Sequence, residues 1–348
     1  MDPLLNGDFK GEKIFFETEN VTVEGIVDSF DHGNNMITMK RAVHYPLGKE
    51  FHGEYHFYIN EAKRIYILKY VKHAESEEIM EKSGCSRTPS HLQNKWHSCG
   101  IDHFLTAEEY DTLIGVADGA ILIDCIDKFF NKAIEAIKNE AVIGIDATGA
   151  SSVGMSYQVT LLSIAIQMCV YQFDIQKLGM AAFDAGLRSV LESKVQKVIH
   201  DSRLLSACLY HKYWVRIDNV FDTQVGELMI EKNSCGKFPK YVCSLPECVK
   251  IFLGIPPAVV QFNKNDTVWW TKRPLLQSLK CPAARNAVFL LPLQQRIKAK
   301  MFSPVTQGIN IFLKAVRDAG NDEANLHIGN NHLVPQEFLM LESTTTQM

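Results

Sequence analysis

The run Ala141-Val142-Ile143-Gly144-Ile145-Asp146, followed by Ala147-Thr148-Gly149, constrains this chain more than any other stretch. It is apolar at consecutive positions, rich in β-branched residues, and closes on one carboxylate. A strand apolar on both faces must be covered on both faces, and that occurs in α/β sheets flanked by helices. Asp146 then stands at the strand's exit, where ligands of open α/β sheets gather. The chain therefore reads as an α/β protein whose central strand carries Asp146 and, two residues on and on the same face, Thr148.

At 348 residues there is room for one large core and a second, smaller module. No apolar run approaches the length of a membrane span, so a membrane protein is not expected. Met1-Asp2-Pro3-Leu4-Leu5 has no basic region ahead of a long apolar one, and no signal peptide is expected. The nine cysteines form no paired framework, which suits reduced thiols in a cytosolic or nuclear compartment. Net charge is −4, yet residues 264–300 gather Lys264, Lys272, Arg273, Lys280, Arg285, Arg296, Lys298 and Lys300 against Asp266 alone. Such a cluster is able to neutralise a phosphate backbone without reading sequence. A solvated basic helix face is the competing reading.

Residues 1–72 read as a small all-β module. Ile14-Phe15-Phe16, Val21–Val27, Met36–Met39, Phe57-Tyr58-Ile59 and Ile65–Leu68 are short strands separated by Asn, Gly and Asp, capped by an amphipathic Asp2–Lys10 segment. Residues 73–112 are polar and read as a linker. It holds Cys85, His91, His97, Cys99 and His103, which are zinc-ligand types at spacings that match no familiar zinc pattern, so they read as linker residues. Over 113–318 the rhythm becomes βα. Asp124–Lys138 is predicted helical, Val142–Asp146 a strand, Val159–Ile166 and Cys169–Asp174 a hairpin, Phe183–Ser193 a helix, Lys197–His200 a strand and Ser202–Tyr213 a helix. Asn219–Gln224 reads as a short strand turning into a helix that Asp222 caps. Trp269 and Trp270 are expected on a strand, pointing to opposite faces. Residues 319–348 read as a disordered tail.

Four blocks in order resemble the DEDD-type 3′-5′ exonucleases of the RNase D kind. They are the Asp146 strand, Lys197-Val198-Ile199-His200-Asp201-Ser202-Arg203, Asn219-Val220-Phe221-Asp222-Thr223-Gln224-Val225, and Ala283-Ala284-Arg285-Asn286-Ala287-Val288-Phe289-Leu290-Leu291-Pro292. The wording of the middle blocks, with Cys248–Pro256, is similar to the branch holding Egalitarian and the exonuclease-domain proteins of the piRNA pathway. Gly25, Asp31 and Asn35 resemble the first motif of Sm-like proteins, in which the Gly bends a strand and the Asp and Asn hold a base. The second Sm motif's Arg-Gly is Ile59-Asn60-Glu61 here, which tilts this module toward protein contacts. The resemblance implies an RNase H-like exonuclease fold behind an Sm-like barrel.

In the family, four carboxylates hold two divalent ions roughly 3.5–4 Å apart that clamp the attacking and leaving oxygens. The resemblance places Asp146 at the first position, Thr148 at the second, Leu205 at the third and Asn286 at the fourth. Pro282 falls where a water-orienting Tyr stands. One carboxylate cannot offset the repulsion of two dications, so the chain reads as a pseudo-exonuclease that needs no cofactor. The expected residual function is single-strand RNA binding through Lys272, Arg273, Lys280 and Arg285, with Trp270 a candidate for base stacking. The resemblance further implies piRNA biogenesis in a cytoplasmic germ granule, with a Tudor-domain protein as partner. A homodimer is expected from base rates. The alternatives are a slow exoribonuclease with a rebuilt metal site and a protein scaffold whose basic patch is incidental.

Overall fold

The computed structural model describes residues 10–46, 48–68, 105–150, 158–261, 267–320, 322 and 334–341. Two sheets organise them. The first is antiparallel, built from β1 (Lys13–Glu17), β2 (Thr22–Asp31), β3 (Met36–Tyr45), β4 (Lys49–Tyr58) and β5 (Arg64–Leu68) in the order β4-β3-β2-β1-β5. Strand alternation sends Ile14 and Phe16 into its own core with Val23, Val27, Met39 and Phe57, while Phe15 faces the other way. The register slips between Glu24 and Ile26, beside Gly25. A Cβ at Gly25 would lie 3.1 Å from that of Met39.

The second sheet comprises β6 (Ile121–Ile123), β7 (Val142–Ala150), β8 (Gln158–Ile166), β9 (Cys169–Phe173), β10 (Gln196–Ile199) and β11 (Val220–Asp222), in the order β11-β10-β7-β8-β9-β6. β7, β10 and β11 run parallel, and β8 is antiparallel to both of its neighbours. Helices α1 (Ala107–Asp118), α2 (Lys128–Lys138), α3 (Ser202–Tyr213), α4 (Thr223–Cys235), α5 (Leu245–Leu253) and the long α6 (Gln277–Ala315) pack around it. Among the described residues no helix is long and apolar enough to cross a membrane.

α6 crosses the central strand at Gly144. The Ala287 carbonyl oxygen occupies the place where a Cβ on Gly144 would stand, and the Leu290 Cβ is 3.4 Å from it. The strand's apolar run therefore contains one residue chosen for its missing side chain. Ala284, Ala287 and Val288 complete the seat against Ala165 and Val170.

The two sheets share an apolar cluster that includes Phe15, Tyr45, Leu68, Tyr110, Phe289 and Leu293. At its polar centre is Glu24. Its carboxylate accepts from Tyr45 Oη at 2.7 Å, Tyr110 Oη at 2.8 Å and Lys13 Nζ at 2.8 Å. Burial alone would lower the Lys13 ammonium, but Glu24 and Asp111, with which it pairs, raise it above the ordinary lysine range. Tyr110 sits on α1, whose start is set by a capping box between Thr106 and Glu109.

Several expectations need correction. α1 reaches into the stretch read as linker, because a capped helix with Tyr110 inward has a core to pack on. The helix expected from Asp124 begins at Lys128, where Asp127 caps it. The helix expected at 183–193 is an irregular helical stretch over 175–191 with a π turn at Phe183–Leu187. The Asp146 strand continues to Ala150. Residues 334–341, read as tail, include a short helix at Gln336–Leu339 whose Phe338 ring meets Phe312 at 5.3 Å. The Asp2–Lys10 segment, apart from its last residue, and the Cys/His residues at 85–103 lie outside the described residues.

Glu24→Ala leaves the buried Lys13 with Asp111 alone and, since the Tyr45 and Tyr110 hydroxyls lie 3.1 Å apart and one can donate to the other, one tyrosine hydroxyl short of an acceptor. The expected loss is about 3–5 kcal/mol in urea unfolding. Gly144→Ala drives a methyl group into main chain that has no room to yield, and about 3 kcal/mol or more should be lost. Retention of stability by this variant would mean that α6 is not seated on Gly144.

Candidate functional site

α6 laid across β7 brings Asn286 to Asp146, with Asn286 Nδ2 3.4 Å from Asp146 Oδ2. Asn286 is buried and its Oδ1 has no hydrogen-bond partner. Thr148, two residues along β7, is also buried, and its carbonyl accepts Thr160 Oγ1 at 3.0 Å. Leu205 is drawn into the main core with Cys208 and Leu209. Pro282 is buried in α6, one turn before Asn286. The five sequence-nominated positions thus divide: Asp146 and Asn286 meet, while Leu205 serves packing.

The neighbouring acids are engaged in holding the chain. Asp222 accepts from the backbone N–H groups of Asp201 (3.1 Å), Ser202 (2.8 Å) and Gln224 (2.9 Å), which ties the end of β11 to the starts of α3 and α4. Asp201 stands at φ +59° and forms a two-pronged pair with Arg203, at 2.6 and 2.7 Å, which holds its carboxyl below the usual range. His200 bridges Thr223 Oγ1 at 2.9 Å and the Cys243 carbonyl at 3.1 Å. Among the described residues no group of 3 or more His, Cys, Asp and Glu side chains stands together to hold a metal ion. A carboxylate beside a neutral amide and a neutral hydroxyl does not fit a pair of divalent cations, which need oxygen ligands carrying several negative charges.

The nominated RNA contacts are largely corrected by their surroundings. Arg273 pairs with the buried Asp174, Nη2 to Oδ1 at 2.7 Å, and donates to the carbonyls of Trp270 and Lys272 at 2.9 Å. Arg285 is buried, 3.2 Å from Asp118 and with its guanidinium 5.3 Å from the Tyr45 ring centre. Trp270 lies on a short helix, Thr267–Thr271, rather than on a strand, and is wholly buried against Leu161, Leu275 and Ala283. It therefore has no face to offer a base. Lys272 is exposed and lies 4.2 Å from the ring centre of the half-exposed Trp269, and Lys280 is half-buried. The guanidiniums were misjudged because their acids lie 99 and 167 residues away. Sequence reasoning also passed over Lys237-Phe238-Pro239-Lys240-Tyr241, in which all but the half-buried Pro239 are exposed, although cations interleaved with aromatics are a signal that a sequence shows.

In the first sheet Asp31 caps its own turn, accepting from Gly33 N at 2.8 Å and from Asn34 Nδ2 at 2.8 Å. Asn35 adopts φ +51° and its carbonyl accepts Ile59 N at 2.8 Å.

A family model described as 3′-5′ exonuclease matches residues 123–301, more than half of the chain. The chain belongs to the 3′-5′ exonuclease family. Within it, the piRNA biogenesis protein EXD1 of Bombyx mori is 35% identical over 63% of this chain and 69% of that protein. The human piRNA biogenesis protein EXD1 is 33% identical over 65% of this chain and 46% of its own length, so the chain spans less than half of that relative. Among solved structures, a GMP complex of Trypanosoma brucei RNase D is 18% identical, covering 57% of this chain and 64% of that one with a TM-score of 0.47. The family's fold is the α/β architecture expected from the Asp146 strand.

Asn286→Asp sets a second carboxylate against Asp146 and should cost this exonuclease-family chain about 2 kcal/mol at pH 7, because like charges at this range oppose ionisation. The pair's raised folded pKa binds protons that the unfolded chain releases, so the penalty should shrink as pH falls from 7 towards 4. Millimolar manganese should restore part of the melting temperature. A variant indifferent to both pH and manganese would show that the two side chains do not meet.

Proposed function

We propose that the chain is a non-cleaving member of the 3′-5′ exonuclease family that holds single-stranded RNA as an adaptor in piRNA biogenesis. The observation that carries this reading is the Asp146–Asn286 pair, where an amide takes the place of a metal-bridging acid. With Thr148 neutral and Leu205 in the core, no cluster of carboxylates gathers at the mouth of the sheet among the described residues. A phosphate backbone then approaches a mouth with one carboxylate in place of four, and the repulsion that bound metal would otherwise offset is reduced. Of the nominated cations, Lys272 is exposed and Lys280 half-buried.

The pathway is supported by the relatives named as piRNA biogenesis proteins. From the motif resemblance, a Tudor-domain protein is the proposed partner and a cytoplasmic germ granule the proposed setting. The first sheet is proposed as an Sm-like module that docks protein, since Asp31 is occupied in its own turn. The chain is further proposed to act as a homodimer, and light scattering at micromolar concentration should return twice the monomer mass.

A labelled single-stranded RNA incubated with magnesium or manganese should be retained on filters at full length. Lys272→Glu with Lys280→Glu should weaken retention several-fold, and more at low salt. A shortening ladder that Asp146→Ala abolishes would instead establish a slow exoribonuclease.

A further inference from the structure

We propose that the loop after α4, Gly236 to Val242, is a stacking platform for single-stranded RNA. This inference rests on the RNA-binding reading above and locates the contact away from Arg273, Arg285 and Trp270. Phe238 is 56% exposed and Tyr241 86% exposed, large rings that contribute nothing to the core. Lys237 and Lys240 alternate with them and are exposed, and from 232 to 246 there is no acid in a chain of net charge −4. The ammonium of Lys232, on α4, lies 5.2 Å from the Phe238 ring centre. Aromatic faces take any base, and lysines follow the backbone, which together give affinity without sequence preference. The interleaved charge favours a polyanion over an apolar protein surface.

The loop is also held at both ends. Gly236 closes α4 at φ +72°, a left-handed position that suits glycine. The Cys243 carbonyl accepts His200 Nε2 at 3.1 Å and Gln224 Nε2 at 2.9 Å, and Ser244 opens a capping box with Glu247. His200 and Gln224 flank Asp201 and Asp222, so the loop is fastened to the turns at the exit of β10 and β11. Fixed ends lower the entropy lost when a strand binds. Two residues lie between Phe238 and Tyr241, so their Cα atoms are at most about 11 Å apart.

The test is photo-crosslinking of the full chain to an oligouridine carrying 4-thiouridine, with affinities measured across a salt series. Crosslinks should fall on Phe238 or Tyr241. Phe238→Ala with Tyr241→Ala should weaken binding about tenfold or more. Lys237→Ala with Lys240→Ala should lower the log–log salt slope by about 1.4. These sites are exposed, and unchanged melting curves would verify folding. Crosslinks confined elsewhere, with variant affinities within about twofold of the parent, would overturn the platform and leave RNA binding standing. Failure of the parent chain to bind RNA would overturn both. Variants that lose binding to phosphatidylserine vesicles while keeping RNA affinity would reassign the loop to a membrane surface.

Discussion

The close seating of α6 on Gly144 is the contact on which the rest of the molecule depends. A helix approaches a strand this nearly only where the strand has no side chain, and Gly144 is that position. Once Ala287 is against Gly144, the neighbours on the helix have settled directions. Asn286 meets Asp146, Arg285 reaches the first sheet at Tyr45, and Phe289 stacks with Tyr110 at a ring separation of 6.2 Å. Five consecutive positions of one helix thus join the central strand, Asp146 and the all-β module.

Electrostatics explains what such a chain does with its charged groups. Arg273 and Arg285 are enlisted by Asp174 and Asp118 as internal braces, and in a partly dry interior such pairs orient elements more than they stabilise them. The outward charge is carried by lysines, at Lys272 and along the loop after α4. A lysine keeps its ammonium in water with little penalty, whereas a buried guanidinium needs its acid.

Most strands of the two sheets were legible in part, because period-2 alternation and apolar runs report burial directly, but β6 was not foreseen and β4 begins at Lys49 where only Phe57–Ile59 was expected. The Asp222 cap was legible for the same local reason, whereas the Thr106–Glu109 box lay in a stretch read as linker. The candidate site was half legible. The family resemblance set Asp146 and Asn286 at two of its metal positions, and α6 brings the two side chains to 3.4 Å of each other. The basic cluster was misread. A run of cations looks the same in sequence whether its partners are solvent, phosphate or acids folded back from a hundred residues away.

By itself, then, the sequence determined the α/β core, the all-β module ahead of it, and the chemical identity of the residues around Asp146. Those are consequences of local pattern and of residue type. Only the tertiary structure decided that Trp270 is core, that Arg285 joins α6 to α1 and the first sheet, and that Glu24 collects Lys13, Tyr45 and Tyr110 into one buried network. Each of these is a pairing between distant segments, and a side chain's partner is set by where the backbone brings it, which no local window of sequence contains.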